Sequence, residues 1–265
     1  MPKDFTITTV ITSLNMENSI ADSIKSFLEQ DYPYKQLVIV DGKSTDNSHE
    51  IIADFVNKHQ DIITWVKEYD KNLSDARNIA IKHTKGNIIG FLGADDLLCK
   101  GIFTKIAEFT KIADHYDAIY FNSYIIAKNE IVFRNSATIE FNKRNLRKLP
   151  PIVPGEAIYY KKELFDCHKF NEKNPNTLDY EFNMDLVTAN KNYIFCPLNE
   201  TGVYWINKNG HNISSIHGKE QRYETIAIMF KYCKRYSDYK KIIGYNLKNI
   251  LKNYRNIKNA YNKIK

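Results

Sequence analysis

Over the first hundred residues, β-branched and apolar runs alternate with stretches whose apolar residues recur at helical spacing. Residues 5–12 predict a strand, and residues 20–30, with Ile20, Ile24, Phe27 and Leu28 on one face, predict a helix. The same reading gives strands over 36–40, 62–67 and 87–92, and helices over 48–60 and 74–83, the last with Ser74 as its N-cap. Strands separated by helices of about 10–15 residues imply βαβ units and a parallel sheet, so the predicted class is α/β.

After Asp96 the alternation loosens. A helix is expected over 102–113, a strand over 118–126 and a short hairpin partner around 131–134. Residues 148–155 carry three prolines and predict a loop reaching across a site. Helical spacing returns over 178–189 and a strand over 193–197. The stretch 205–218, rich in Asn, Gly, Ser and His, predicts a mobile loop. From Glu220 onward one or two helices are expected. In them Ile243, Leu247, Ile250, Tyr254, Ile257 and Tyr261 form an apolar seam at alternating spacings of four and three.

The chain has 265 residues, 43% hydrophobic and 26% charged, enough for a core that needs no disulfide staples. This ordinary balance excludes collagen-like, low-complexity and wholly disordered chains. The net charge of +7 by itself suggests nucleic acid or a membrane surface. Its distribution changes that picture. Residues 219–265 hold 13 Lys+Arg and 3 Asp+Glu, leaving residues 1–218 at −3. An acidic body therefore carries a basic amphipathic tail, and nucleic acid is not an expected partner. For the tail three readings stand: an interfacial helix on the anionic inner face of a cell membrane, packing on the body, or contact with a second copy in a homodimer. On the first reading, deleting 219–265 weakens membrane binding without disturbing the body.

Cys99, Cys167, Cys196 and Cys233 are far apart, with no C-x-x-C pair, which predicts reduced thiols, no zinc site and a cytoplasmic setting. The sequence opens on a strand pattern, and no run approaches about eighteen apolar residues, so neither a signal peptide nor a spanning helix is expected.

Ligands of an open parallel sheet bind where strands end and loops lead into helices. Three such ends are polar here: Thr12-Ser13-Leu14-Asn15, Asp41-Gly42-Lys43-Ser44-Thr45-Asp46 and Gly93-Ala94-Asp95-Asp96. Turn formers account for any one of them; three on consecutive units point to a site. Asp95 and Asp96 repel one another, and a Mg²⁺ or Mn²⁺ ion would relieve the cost. Neither a G-x-x-x-x-G-K-[ST] loop nor a G-x-G-x-x-G turn is present, which argues against a P-loop NTPase and a dinucleotide-binding domain.

The segments VITSLN, SFLEQDYP, VIVDGKSTDNS, DARN and IIGFLGADD, in this order, resemble the family 2 glycosyltransferases of GT-A fold, over about residues 5–215 and most strongly 5–100. They are similar to bacterial enzymes that build capsule, lipopolysaccharide or exopolysaccharide. The resemblance implies a Rossmann-like, mostly parallel sheet in a domain over 1–218, with a nucleotide-binding half (about 1–100) and an acceptor half (about 101–218). It also implies inverting, metal-dependent hexosyl or N-acetylhexosaminyl transfer from a nucleoside diphosphate sugar, expected to be a UDP-sugar, to a glycan acceptor, expected to be lipid-linked.

Carried over position by position, Thr12, Ser13 and Leu14 line the base pocket, Asp41 meets the base, and Arg77, with Asp75 in the same segment, faces the nucleotide. Asp95 leans on the ribose and shares the metal motif with Asp96, the favoured ligand for Mn²⁺ or Mg²⁺. Asp179 deprotonates the acceptor hydroxyl; Glu181 is the alternative base, or a cap of its helix. Several positions depart from the family pattern: Gly93 stands for Asp or Asn, Asn72 and Lys43 for Gly, Leu14 for an aromatic, and Pro154-Gly155-Glu156 for a segment that often shows His-Gln. Gly93 keeps open the alternative of an inactive nucleotide-binding or scaffolding module. His211 and His217 are surface histidines or late metal ligands, Trp205 a sugar-stacking lid or core residue, and Glu156 an acceptor contact or a solvated carboxylate.

Overall fold

The computed structural model describes residues 5–127, 130–146, 153–207, 218–233 and 236–265. Its first half follows the predicted alternation. Strands β1 (Ile7–Thr12), β2 (Lys35–Val40), β3 (Ile63–Val66) and β4 (Ile88–Gly93) are joined by helices α1 (Ile20–Leu28), α2 (Ser48–Lys58) and α3 (Leu73–Ile81). All pair in parallel in the order β3-β2-β1-β4, with Thr12 level with both Val40 and Gly93. That shared level puts the three polar strand ends along one edge. β1, β2 and β4 are buried along almost their whole length, as strands covered on both faces must be.

The second half is mixed. It comprises β5 (Leu97–Leu98), α4 (Ile102–Ile112), β6 (Ala118–Ala127), β7 (Glu130–Arg134), α5 (Lys143–Leu146), a 3₁₀ turn (Gly155–Ala157) and β8 (Ile158–Lys161). Then follow α6 (Leu164–Cys167), α7 (Leu178–Thr188) and β9 (Phe195–Asn207). β8 runs antiparallel between β4 and β6, β9 parallel to β6, and β5 antiparallel to β9, extending the sheet to β3-β2-β1-β4-β8-β6-β9-β5; β7 forms a hairpin with β6. β9 is longer than expected and carries Trp205 as a strand residue rather than a loop residue. His211 and His217 lie outside the described residues. All four cysteines are free thiols.

The last two helices, α8 (Gly218–Lys231) and α9 (Tyr236–Ile264), pack on each other, and α8 packs on α7. Ile226, Ala227, Ile228 and Met229 are wholly buried. Burying each large side chain of this kind contributes about 1.5–3 kcal/mol. The tail, detachable only on the membrane reading, is thus partly packed into the core, as on the second reading. α9 breaks its helical geometry at Asn253, whose φ is −126°. No helix of the described residues is long and apolar enough to cross a membrane.

Candidate active site

The loops after β1 and β2 are sewn together. Asn15, with φ of 55°, occupies the left-handed region that asparagine tolerates. Its N–H donates to Ser44 Oγ at 2.8 Å and its Oδ1 accepts from Thr45 N at 2.8 Å. Thr12 ends β1, Ser13 is buried with an unpartnered Oγ, and Leu14 is exposed. Asp41 departs from expectation. It has no exposed surface, and its carboxylate accepts from Ser44 N (3.1 Å) and Ser44 Oγ (2.6 Å) and pairs with His49 Nε2 (3.0 Å). In this conformation Asp41 shapes its own loop instead of presenting an oxygen to a base.

α3 is capped by Asn72, not by Ser74. Asn72 Oδ1 accepts from the N–H groups of Ser74 and Asp75 at 3.1 and 3.2 Å, satisfying two of the helix's free donors. Asp75 reaches back to accept from Lys71 N at 2.9 Å, so it closes the helix start. Ser74 is buried one step inside, donating to the Asn174 carbonyl at 3.0 Å.

Arg77, one turn further on, was expected to face a nucleotide. Its side chain is instead 7% exposed and forms an ion pair with Asp179. Its guanidinium lies 4.6 Å from the centre of the Phe91 ring and 5.3 Å from that of Phe170. A planar, permanently charged group stacked on two rings has little freedom, so it fixes the carboxylate it holds. Asp179 sits in the first turn of α7, where the helix dipole favours negative charge, and keeps 25% of its side chain exposed. Behind it is Gly155: a Cβ there would lie 2.6 Å from each Asp179 carboxylate oxygen.

Glu181, the alternative base, points elsewhere. It is buried and accepts from Lys231 Nζ (2.5 Å), Asn174 Nδ2 (2.7 Å) and Asn171 Nδ2 (3.1 Å). It ties α7 to α8.

At the end of β4, Asp95 is half-buried and Asp96 is 2% exposed. Asp96 Oδ1 accepts from Ile206 N at 2.8 Å, and its carbonyl accepts from Ser23 Oγ at 2.8 Å. Burial raises the pKa of Asp95; burial, and then the charges of Glu156 and Asp95, raise that of Asp96 well above the usual carboxylate range. Glu156 is the residue that the sequence reading undervalued. Burial first, then Asp179, push it up to about 7, with Asp95 adding to the same effect. It is coupled by charge both to Asp95 and Asp96 and to Asp179 and Arg77.

Gly93 makes room for this crowd, since a Cβ there would lie 2.5 Å from Asp96 Oδ2 and 2.9 Å from Asp95 Oδ1. The position that lacks the family's acidic residue is thus filled by the two acids that follow it.

The donor chemistry suits a divalent cation. Hard carboxylate oxygens crowded at low exposure repel one another, and an ion of charge +2 would offset that cost. Asp95 and Asp96 would hold it. Among the described residues no group of three or more His, Cys, Asp and Glu side chains is disposed to hold an ion, so substrate phosphates and water would complete the shell, as is usual for Mg²⁺.

Beside Asp179 and Glu156 opens a cavity of about 630 Å³, lined also by Trp205, Arg134, Arg222 and Asn249. The volume suits a small-molecule or sugar ligand. Arg134, Arg222 and Asn249 carry no sequence signal of their own, because β7, α8 and α9 meet only in the folded chain.

Residues 8–168 match the family model described as glycosyl transferase family 2. The chain is 32% identical over 143 residues to the Escherichia coli UDP-Glc:alpha-D-GlcNAc-diphosphoundecaprenol beta-1,3-glucosyltransferase WfgD, covering 53% of this chain and 55% of that protein. It is 29% identical over 103 residues to the putative teichuronic acid biosynthesis glycosyltransferase TuaG of Bacillus subtilis, covering 39% and 41%. The chain thus spans about half, or less, of the length of these curated relatives. S. aureus TarS 1–349 in complex with UDP-GlcNAc superposes with a TM-score of 0.70 at 19% identity, over 97% of this chain and 79% of that one. The Pyrobaculum calidifontis mannosyltransferase PcManGT, in complex with GDP-Man and Mn²⁺, gives 0.66 at 18% identity, over 99% and 74%.

Proposed function

The chain belongs to glycosyl transferase family 2 and has its GT-A fold, and from that premise we propose that it moves a sugar from a UDP-sugar to a hydroxyl of a lipid-linked glycan acceptor, with inversion. The observation that carries this reading is the seating of Asp179. Arg77 pins the carboxylate, Gly155 leaves it space, and it opens into a cavity large enough for a sugar. A sugar hydroxyl is a weak nucleophile, and a fixed carboxylate within reach can take its proton during attack. A single base acting opposite the leaving group gives displacement with inversion.

Thr12, Ser13 and Leu14 would line the base pocket, beside the loop that Asp41 shapes. Asp75 and Asn72 hold the start of α3, and so the placement of Arg77. Asp95 and Asp96 would hold the Mn²⁺ or Mg²⁺, which when bound supplies Lewis-acid stabilisation of the diphosphate leaving group. Arg134 and Arg222, with no carboxylate partner among the described residues, suit an anionic part of the acceptor such as a phosphate.

The test is direct. The protein incubated with UDP-sugars and Mn²⁺ should release UDP slowly from at least one donor, and chelation should stop the release. UDP binding with no release from any donor would favour the inactive nucleotide-binding module.

A further inference from the structure

We propose that the outward face of α9 is a lipid-binding surface that seats the protein on an anionic membrane beside its cavity. The two faces of this helix differ. Ile242, Asn246, Ile257 and Ile264 are buried. Turned outward are Ile243, Leu247, Leu251 and Tyr254, exposed by 41%, 47%, 73% and 63%, whereas Tyr239 stacks on Phe230 of α8.

Ile243, Leu247 and Leu251 follow one another at spacings of four, so they form one stripe along the helix, and Tyr254 lies just past the break at Asn253. From Ile243 to Leu251 the stripe is about 12 Å long at 1.5 Å per residue. It is not the predicted seam: Ile257 of that seam turns inward, while Leu251, outside it, is the most exposed residue of the stripe. Four large side chains turned to water side by side are costly for a soluble surface and mark a contact.

Charge identifies what covers the stripe. From Tyr239 to Lys265 the chain holds eight Lys and Arg and no Asp or Glu. Lys248, Lys252 and Arg255 flank the stripe and are exposed. A uniformly basic helix repels a second copy of itself and is drawn to anionic headgroups. Leucine and isoleucine between lysines, with a tyrosine at one end, is the composition of a helix that lies in the headgroup layer.

Position gives the contact a use. Asn249, which lines the cavity, lies on α9 between Leu247 and Leu251 in sequence. A helix is about 10–12 Å across with its side chains, so a protein resting on this stripe holds the cavity wall at about that distance from the bilayer. An acceptor carried on a lipid would then need to rise little to reach it. That last step rests on the sugar-transfer reading; the lipid contact does not.

Flotation of the full chain with vesicles tests the proposal, using phosphatidylcholine alone and phosphatidylcholine with a quarter of phosphatidylglycerol. The wild-type protein should float with the anionic vesicles at low salt and stay with the soluble fraction on the neutral ones. A Leu247→Gln/Leu251→Gln variant and a Lys248→Gln/Lys252→Gln/Arg255→Gln variant should each bind anionic vesicles at least about tenfold more weakly. Both should melt like the wild type and bind UDP as well. Flotation that neither variant alters, or that is equal on the two vesicle types, overturns the proposal. So does a wild-type dimer in sedimentation equilibrium that the leucine variant splits, because the stripe would then be an interface between copies. Absence of UDP release from all proteins alike would count against sugar transfer and leave the lipid contact standing.

Discussion

Asp179 takes its place from residues far away in the chain. Arg77 reaches it across 102 positions of sequence, and Gly155 provides the hollow in which its carboxylate sits. Replacing Asp179 with Asn keeps the shape, and an oxygen that can accept from Arg77, but removes the basicity. Transfer is therefore expected to fall by about a hundredfold or more, while UDP affinity stays near the wild-type value. Single-turnover transfer beside a calorimetric UDP titration checks this; a variant that retains most of its activity removes Asp179 from the role of base. At this scale the sequence was legible in kind more than in contact. The acids at the strand ends and at the start of α7 could be read from their positions. The Arg77–Asp179 pair could not, because nothing local says which way a buried guanidinium points. Glu156 was hidden for the same reason: its neighbours Asp95 and Asp179 come from different elements.

α3 shows what a cap does for a site. The Asn72 side chain satisfies two backbone donors at its start, and Arg77 hangs one turn below. Asn72→Ala is expected to cost about 1 kcal/mol and to lower Tm by about 2–4 °C in a chain of this size, with Asn72→Asp close to wild type. Thermal unfolding of the two variants checks it, and equal losses in both would assign the loss to the Asn72 Nδ2 bond to the Glu172 carbonyl instead of the cap. Elements with a clear period were legible: β1 to β4 and α1 to α4 stand where periodicity placed them. β8, four residues long and close behind a proline-rich stretch, offered too little alternation to be recognised. β9 was cut short by the polar run Asn199-Glu200-Thr201-Gly202, which passes where its register against β6 shifts.

At the scale of the whole chain, charge and packing draw different boundaries. Charge divides the molecule at about residue 218, into a body of −3 and a tail of +10. Packing joins the two. α8 puts Ile226, Ile228 and Met229 into the core, and Lys231 holds Glu181, whose side chain is 4% exposed. Lys231 also donates to the Ile264 carbonyl at 2.8 Å, so the end of α9 is tied to the same point. Deleting 219–265 would uncover those side chains, at about 1.5–3 kcal/mol each. It would also leave Glu181 without its cation, a loss of about 3–5 kcal/mol for a buried pair. The sum approaches the whole stability of an ordinary domain, about 5–15 kcal/mol. The shortened chain is therefore expected to be insoluble or molten and to lose UDP binding, contrary to what the charge boundary alone suggests. Expression of residues 1–218, followed by thermal unfolding and a UDP titration, decides between the two. A truncated body that melts near the full-length temperature and binds UDP normally would make the tail a separate appendage; an unfolded one makes it a structural part of the fold.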